Sequence, residues 1–255
     1  MTEGIARSAA RPLRGLLRAV SKMAAFGGAI AAPAASAQAQ TPDRLRTDWA
    51  YLERFRAENA ALGPPRRDEE RVVFMGNSIV EGWAPHFPAM FPGKPYVARG
   101  ISGQTSPQML VRFRQDVIAL KPRVVVILAG TNDIAGNTGP ATLEMIQDNI
   151  ASMTELAQAN GIRVVLASVL PAFRYRWRPE MEPAPIIVAL NRWIRDYAVS
   201  HGAVYLDFHT AMADERQGLR GDLSADGVHP HEAGYRVMAP LAERAITQAL
   251  RRRPR

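Results

Sequence analysis

Apolar and polar positions along the chain fall into two alternating kinds of segment. Short runs of apolar residues recur at Val72-Val73-Phe74-Met75, Tyr96-Val97-Ala98, Val124-Val125-Val126-Ile127-Leu128-Ala129, Val164-Val165-Leu166-Ala167-Ser168-Val169 and Val204-Tyr205-Leu206. Their near-continuous, β-branched character predicts strands buried on both faces, as in a parallel sheet. Between them, apolar residues return at helical spacing and predict helices over 42–62, 107–120, 142–160, 185–201 and 232–251. Pro107 sits in the first turn of the second helix, and Gly161 and Gly202 follow the ends of the third and fourth. Leu45, Trp49, Leu52, Phe55 and Leu62 mark the inner face expected for the first, and Gly63-Pro64-Pro65 stops it. Strand–helix alternation of this kind predicts an α/β domain with a five-stranded parallel sheet covered on both sides.

In such sheets ligands bind beyond the carboxyl ends of the strands. Every polar, glycine-containing cluster falls on that edge: Gly76-Asn77-Ser78, Gly100-Ile101-Ser102-Gly103-Gln104-Thr105, Gly130-Thr131-Asn132-Asp133 and, further on, Asp226-Gly227-Val228-His229-Pro230.

Charge changes the picture at the ends only. The formal net charge of +8 resides in the basic residues ahead of position 23 and in Arg251, Arg252, Arg253 and Arg255, so the body between them is neutral overall. A nucleic-acid surface would spread basic residues along a folded face, so no nucleic-acid partner is expected. The basic N-terminal stretch runs into Met23-Ala24-Ala25-Phe26-Gly27-Gly28-Ala29-Ile30-Ala31-Ala32 and then Ala35-Ser36-Ala37-Gln38-Ala39. That order of basic, apolar and small residues predicts a cleaved secretory signal over 1–39, a domain over 40–250 and a basic tail over 251–255, with the mature chain periplasmic or secreted. The apolar run is shorter than the roughly 20 residues of a membrane-spanning helix, so no stable membrane anchor is expected. Cysteine is absent, which removes both a disulfide framework and a lipid-modified cysteine.

The clusters carry the chemistry. A serine hydroxyl becomes a nucleophile only beside a base. Ser78 follows a strand and precedes Ile79-Val80-Glu81, at an expected helix N-terminus, where position alone also suits an N-cap serine. Val80 stands where the nucleophile elbow G-x-S-x-G has its second glycine, which argues against an α/β-hydrolase. Of the five histidines, His229 alone has a carboxylate three residues earlier, Asp226, in a loop stiffened by Gly227 and Pro230. That spacing suits an oriented imidazole base and equally a pair that anchors the last helix. An oxyanion needs pre-placed donors. The backbone N–H groups of Ser78 and Gly103 and the side-chain amide of Asn132 qualify, although Gly103 also reads as a turn glycine and Asn132 as an Asx-turn residue. Asp133 reads as a loop brace.

Together the four clusters resemble the four blocks of the SGNH (GDSL) hydrolase superfamily: Phe74-Met75-Gly76-Asn77-Ser78, Ile101-Ser102-Gly103-Gln104-Thr105, Ala129-Gly130-Thr131-Asn132-Asp133 and Asp226-Gly227-Val228-His229-Pro230. The resemblance spans almost the whole body and departs from the family at Asn77, where the family name expects Asp. It implies a flavodoxin-like three-layer α/β/α fold and a metal-free, cofactor-free carboxylic ester hydrolase. It also implies Ser78 as nucleophile, His229 as base, Asp226 as its orienting carboxylate, and an oxyanion hole of Ser78, Gly103 and Asn132. For substrate, the expectation is a short-chain acyl ester, acetyl above all, on a small molecule or a carbohydrate. A lysophospholipase or lipase-like acylhydrolase is the alternative, and a non-catalytic glycan-binding module the weaker one. Trp83, Arg174 and Trp177 are candidate substrate-binding residues, and Trp83, a turn beyond Ser78, reads equally as a residue that fills core. Arg174 and Trp177 lie in the arginine- and aromatic-rich loop 172–179, which also reads as a cover whose rings pack on the body.

Overall fold

The computed structural model describes residues 41–252; the expected signal segment and the last three residues of the tail lie outside the described residues. Five parallel strands run β1 (Val72–Gly76), β2 (Tyr96–Gly100), β3 (Val124–Leu128), β4 (Arg163–Ala167) and β5 (Val204–Leu206), in the spatial order β2-β1-β3-β4-β5. Order 2-1-3-4-5 is the flavodoxin-like arrangement, in which the chain switches direction across the sheet between β1 and β3. The helices are α1 (Pro42–Thr47), α2 (Arg56–Leu62), α3 (Ser78–Trp83), α4 (Phe87–Met90), α5 (Ser106–Asp116), α6 (Thr131–Ile134), α7 (Leu143–Ala159), α8 (Pro183–Ser200), α9 (His209–Met212) and α10 (Glu232–Arg251).

Alternation along each strand divides the core in two. Val73, Met75, Val125, Ile127, Val164 and Leu166 face α5, α7 and α8 through Met109, Phe113, Ile150, Met153, Leu190 and Ile194. Val72, Phe74, Val124, Val126 and Val165 face α3 and α10 through Ile79, Trp83, Tyr235, Met238 and Ile246. A strand buried on both faces must be apolar at every position, which is why β1 and β3 stand out in the sequence.

One expected element breaks. The continuous helix over 42–62 is two short helices, α1 and α2, with Tyr51 between them in the left-handed region at φ 54°. Side chains compete there with the helical ladder. The Asp48 carboxylate accepts the N–H groups of Leu52 at 2.8 Å and Glu53 at 3.0 Å. The side-chain amides of Gln108, Gln104 and Gln115 donate to the carbonyls of Trp49, Ala50 and Leu52 at 2.6–2.7 Å. Carbonyls held from outside cannot also close helical turns, so the segment lies as a bracket along α5 and the loop ahead of it. The helical spacing of its apolar residues reports burial, and tertiary hydrogen bonds set the backbone.

Candidate active site

The C-terminal ends of β1 and β3 deliver two of the clusters to the switch between them. After β1, Asn77 caps α3: its side chain accepts the Ile79 N–H at 3.0 Å. Ser78 is therefore the first helical residue and not the N-cap, and its hydroxyl is released from that duty. The Ser78 N–H opens the helix and has no carbonyl one turn back to bond, which leaves it pointing ahead of the first turn. Asn and Asp cap about equally well, so Asn77 in place of Asp keeps the geometry.

Ser78 Oγ lies 2.9 Å from His229 Nε2, and His229 Nδ1 lies 2.7 Å from Asp226 Oδ2. Residues 151 positions apart thus meet in a line of hydroxyl, imidazole and carboxylate. The Asp226 loop is built for this. Asp226 Oδ1 accepts the N–H groups of Val228 and His229 at 2.9 and 2.8 Å and the Ser224 hydroxyl at 3.1 Å, leaving Oδ2 for the ring. Burial works against ionisation of this carboxyl, but the His229 ring and the two backbone N–H groups outweigh it and hold its pKa far below the usual carboxylate range. An ionised carboxylate only accepts hydrogen bonds. The proton on the His229 ring is therefore at Nδ1, and Nε2 presents its lone pair to the serine hydroxyl.

The second and third clusters are tied to this line through the backbone. Ile101 N–H donates to the Gly76 carbonyl at 3.2 Å, joining the end of β2 to the end of β1. Gly100 permits that approach, since a Cβ there would stand 2.2 Å from the Glu81 nitrogen and 2.7 Å from the Asn77 oxygen. Gly103 has φ 76°, a left-handed conformation that favours glycine. The buried Asn132 side chain donates one amide hydrogen to the Gln104 carbonyl at 2.9 Å and carries a second. Asn137 donates to the Gly103 carbonyl at 3.3 Å. Asp133 braces the loop as expected, accepting both the N–H and the hydroxyl of Ser106 on Oδ1 at 2.8 and 2.5 Å.

Several residues that hold this arrangement carry no motif signature. Arg112, wholly buried, donates to the carbonyls of Gly76 at 3.0 Å and Arg99 at 2.9 Å, to Gln104 Oε1 at 2.5 Å and to Asp116 at 3.0 Å. One guanidinium thereby clamps the ends of β1 and β2 and the second cluster. Glu81 accepts both the N–H and the hydroxyl of Ser102, fixing the loop just ahead of Gly103. An arginine in the middle of a helix looks like any surface arginine until the sheet is placed beneath it. The apolar residues flanking it at 109 and 113 are the one available hint that its face turns inward.

The substrate-binding candidates separate. Trp83 is a correction: it is 1% exposed in the core, stacked on Tyr235 at 5.7 Å and edge-on to Phe74 and Phe87, with its N–H directed at Met90 Sδ. The inward face of α3 points at the sheet, so a side chain five residues after Ser78 turns away from the rim. Arg174 is exposed. Trp177 does border the site. Its ring centroid lies 6.5 Å from that of His229, it stacks on Tyr175 at 5.1 Å, and its N–H donates to Asn137 Oδ1 at 3.3 Å. Loop 172–179 is thus both a packed cover and a wall of the site.

Comparison with known proteins agrees with this architecture. Residues 74–237 match the GDSL-like lipase/acylhydrolase family, from the strand ahead of Ser78 to beyond His229. The chain belongs to that family. A solved GDSL-like lipase from Bacteroides thetaiotaomicron is 48% identical with a TM-score of 0.77, over 79% of this chain and 100% of that one. Esterase TesA of Pseudomonas aeruginosa is 31% identical over 61% of this chain and 73% of its own length. An acetylxylan esterase of Xylanibacter ruminicola is 27% identical over 73% of this chain. The chain spans 45% of that esterase's length.

Proposed function

We propose that this GDSL-family chain is a carboxylic ester hydrolase working by acyl transfer through Ser78, and that its substrates are short acyl esters, acetyl above all, carried on carbohydrate. The observation that carries the mechanism is the line Ser78 Oγ–His229 Nε2–Asp226, at 2.9 and 2.7 Å. The serine hydroxyl gives its proton to Nε2 as Oγ attacks the ester carbonyl. Asp226 stabilises the resulting imidazolium and keeps the ring oriented. The N–H groups of Ser78 and Gly103 and the second amide hydrogen of Asn132 receive the negative oxygen. The imidazolium then protonates the departing alkoxide, and a water activated by the same Nε2 releases the acid from the acyl-serine.

The substrate class has separate support. The similarity to an acetylxylan esterase points to acetyl on a sugar, and Trp177 sets an aromatic ring beside His229 against which a sugar ring can lie. Export is part of the same reading, supported by the basic, apolar and small-residue run ahead of residue 40, and recovery of the cleaved chain from a periplasmic fraction checks it. The purified protein assayed on acetyl, butyryl and palmitoyl esters is expected to prefer acetyl, and an organophosphonate is expected to add to Ser78. Preference for palmitoyl would favour the lipase-like alternative. Absence of the adduct, with the protein folded, sinks the nucleophile assignment.

A further inference from the structure

The turn Tyr175-Arg176-Trp177-Arg178, which follows β4, is joined to two separate loops of the site. Its Arg178 N–H closes on the Tyr175 carbonyl at 3.1 Å, and Tyr175, fully buried, anchors it. From the tip, Arg176 Nη2 donates to the Ala225 carbonyl at 3.2 Å, one residue ahead of Asp226. The Trp177 N–H donates to Asn137 Oδ1 at 3.3 Å, and Asn137 Nδ2 donates in turn to the Gly103 carbonyl at 3.3 Å. We propose that this turn is a strap that sets the Gly103 loop against the Asp226–His229 loop, with Trp177 and Asn137 as positioning residues that act through Gly103. The inference rests on the acyl-transfer reading above, in which the Gly103 N–H receives the negative oxygen.

The residue types suit the relay. An indole N–H only donates and a backbone carbonyl only accepts, so the group between them must offer one acceptor and one donor. The primary amide of Asn137 offers both, and its two contacts fix which end faces which neighbour. Ionised Asp in its place would turn an oxygen toward the carbonyl, and an aliphatic residue would join neither side. The Asn137 backbone is held as well, its N–H donating to the Asn132 carbonyl at 3.0 Å. The amide that grips Gly103 and the amide proposed to receive the oxyanion therefore ride on one short loop.

Gly103 is where such support matters. At φ 76° it uses a freedom that only glycine has, and the same freedom makes the conformation easy to leave. Its neighbours are held: Glu81 accepts the Ser102 N–H and hydroxyl, Asn132 donates to the Gln104 carbonyl, and the Gln104 N–H donates to the Ile101 carbonyl at 3.3 Å. The Gly103 carbonyl lies between them, and Asn137 holds it. An oxyanion donor contributes through preorganisation, because it need not turn as charge develops. Pinning this carbonyl restrains rotation about Gly103 and so keeps its N–H aimed. At the other end of the relay, the indole bonded to Asn137 is the ring that stands 6.5 Å from the His229 ring.

Steady-state hydrolysis of 4-nitrophenyl acetate and backbone amide exchange, both on the full chain, test the strap. Asn137→Ala is expected to lower kcat about tenfold with KM within about twofold of the parent. Trp177→Phe, which keeps an aromatic ring and removes the N–H, should lower kcat about threefold, and Arg176→Ala about twofold. The double variant of Asn137→Ala and Trp177→Phe should fall no further than Asn137→Ala alone, because both break one relay. Losses that multiply, or a loss that resides in KM, overturn the proposal. Exchange of the Gln104 amide, which opens with the turn at Gly103, should quicken about tenfold in Asn137→Ala and less in Trp177→Phe; an unchanged rate in both overturns it too. Should Asn137→Ala fail to fold, Trp177→Phe carries both readouts. Absence of hydrolysis by the parent protein is scored separately: it defeats the acyl-transfer reading, and exchange at Gln104 then decides the strap.

Discussion

The line of Ser78, His229 and Asp226 and the clamp around Arg112 are both polar constellations at the same end of the sheet, and they are built on opposite terms. In the line, the Asp226 and His229 side chains remain 32% and 13% exposed, and His229 presents a lone pair to the Ser78 hydroxyl. In the clamp, the Arg112 and Asp116 side chains are fully buried, and the guanidinium is bound to two carbonyls, an amide oxygen and a carboxylate. Chemistry requires groups that can change partners. Support requires groups that cannot. The two should therefore fail differently when altered.

Removing the proposed nucleophile should have the largest effect. Ser78→Ala is expected to lower kcat by about 10⁶, and because Asn77 caps α3, the melting temperature should stay within a few degrees. Initial rates and a thermal melt on the same preparation check both halves; a large loss of stability would erase the distinction drawn here. Arg112→Met should do the reverse. It takes a donor from the Asp116 carboxylate and from the Gly76 and Arg99 carbonyls, and breaking a buried pair costs about 3–5 kcal/mol. Urea unfolding measures the cost, and an unchanged midpoint would show the clamp to be dispensable. Asn132→Ala removes a proposed oxyanion donor and the bond to the Gln104 carbonyl together, so it straddles the two regions. A fall in kcat of about 10²–10³ is expected, with KM little changed and a modest loss of stability.

The smallest effect concerns acid. The Asp226 pKa is depressed on folding, so the unfolded chain binds the proton more readily and stability rises with pH through this window. Its contribution is present above the ordinary carboxylate value of about 3.9 and disappears as pH falls toward the folded value. The gap in melting temperature between the parent and Asp226→Asn should therefore narrow as pH drops below about 4. A gap that widens in acid reverses the sign and contradicts the ionised carboxylate. Activity should also fall in acid, since protonated Nε2 cannot accept the serine proton, and a flat profile would remove His229 as the base.

Much of this molecule was legible before its fold was known, for reasons that differ by element. The strands at 72–76 and 124–128 were read within a residue or two because both faces are buried, so no position could be polar. Helix α10 was read at both ends, and α7 and α8 within two residues, because capping and amphipathic spacing are local. That Ser78, His229 and Asp226 would meet was legible because a proton relay allows few residue types and the Asp226–His229 pair closes within one loop. Local information misled at 42–62, where carbonyls held by three glutamine side chains broke a helix that spacing alone would continue. It left two readings open at Trp83, whose number placed it near Ser78, and the inward face of α3 carried it into the core.

What the amino-acid order determined by itself was periodicity, capping and the inventory of reactive groups, because each depends on neighbours within a few residues. Tertiary structure alone decided which groups face one another: that position 78 meets position 229, and that Arg112 clamps two strand ends. Such contacts are set by where the sheet brings distant loops together, and the energy of a hydrogen bond depends on a distance that no stretch of sequence contains.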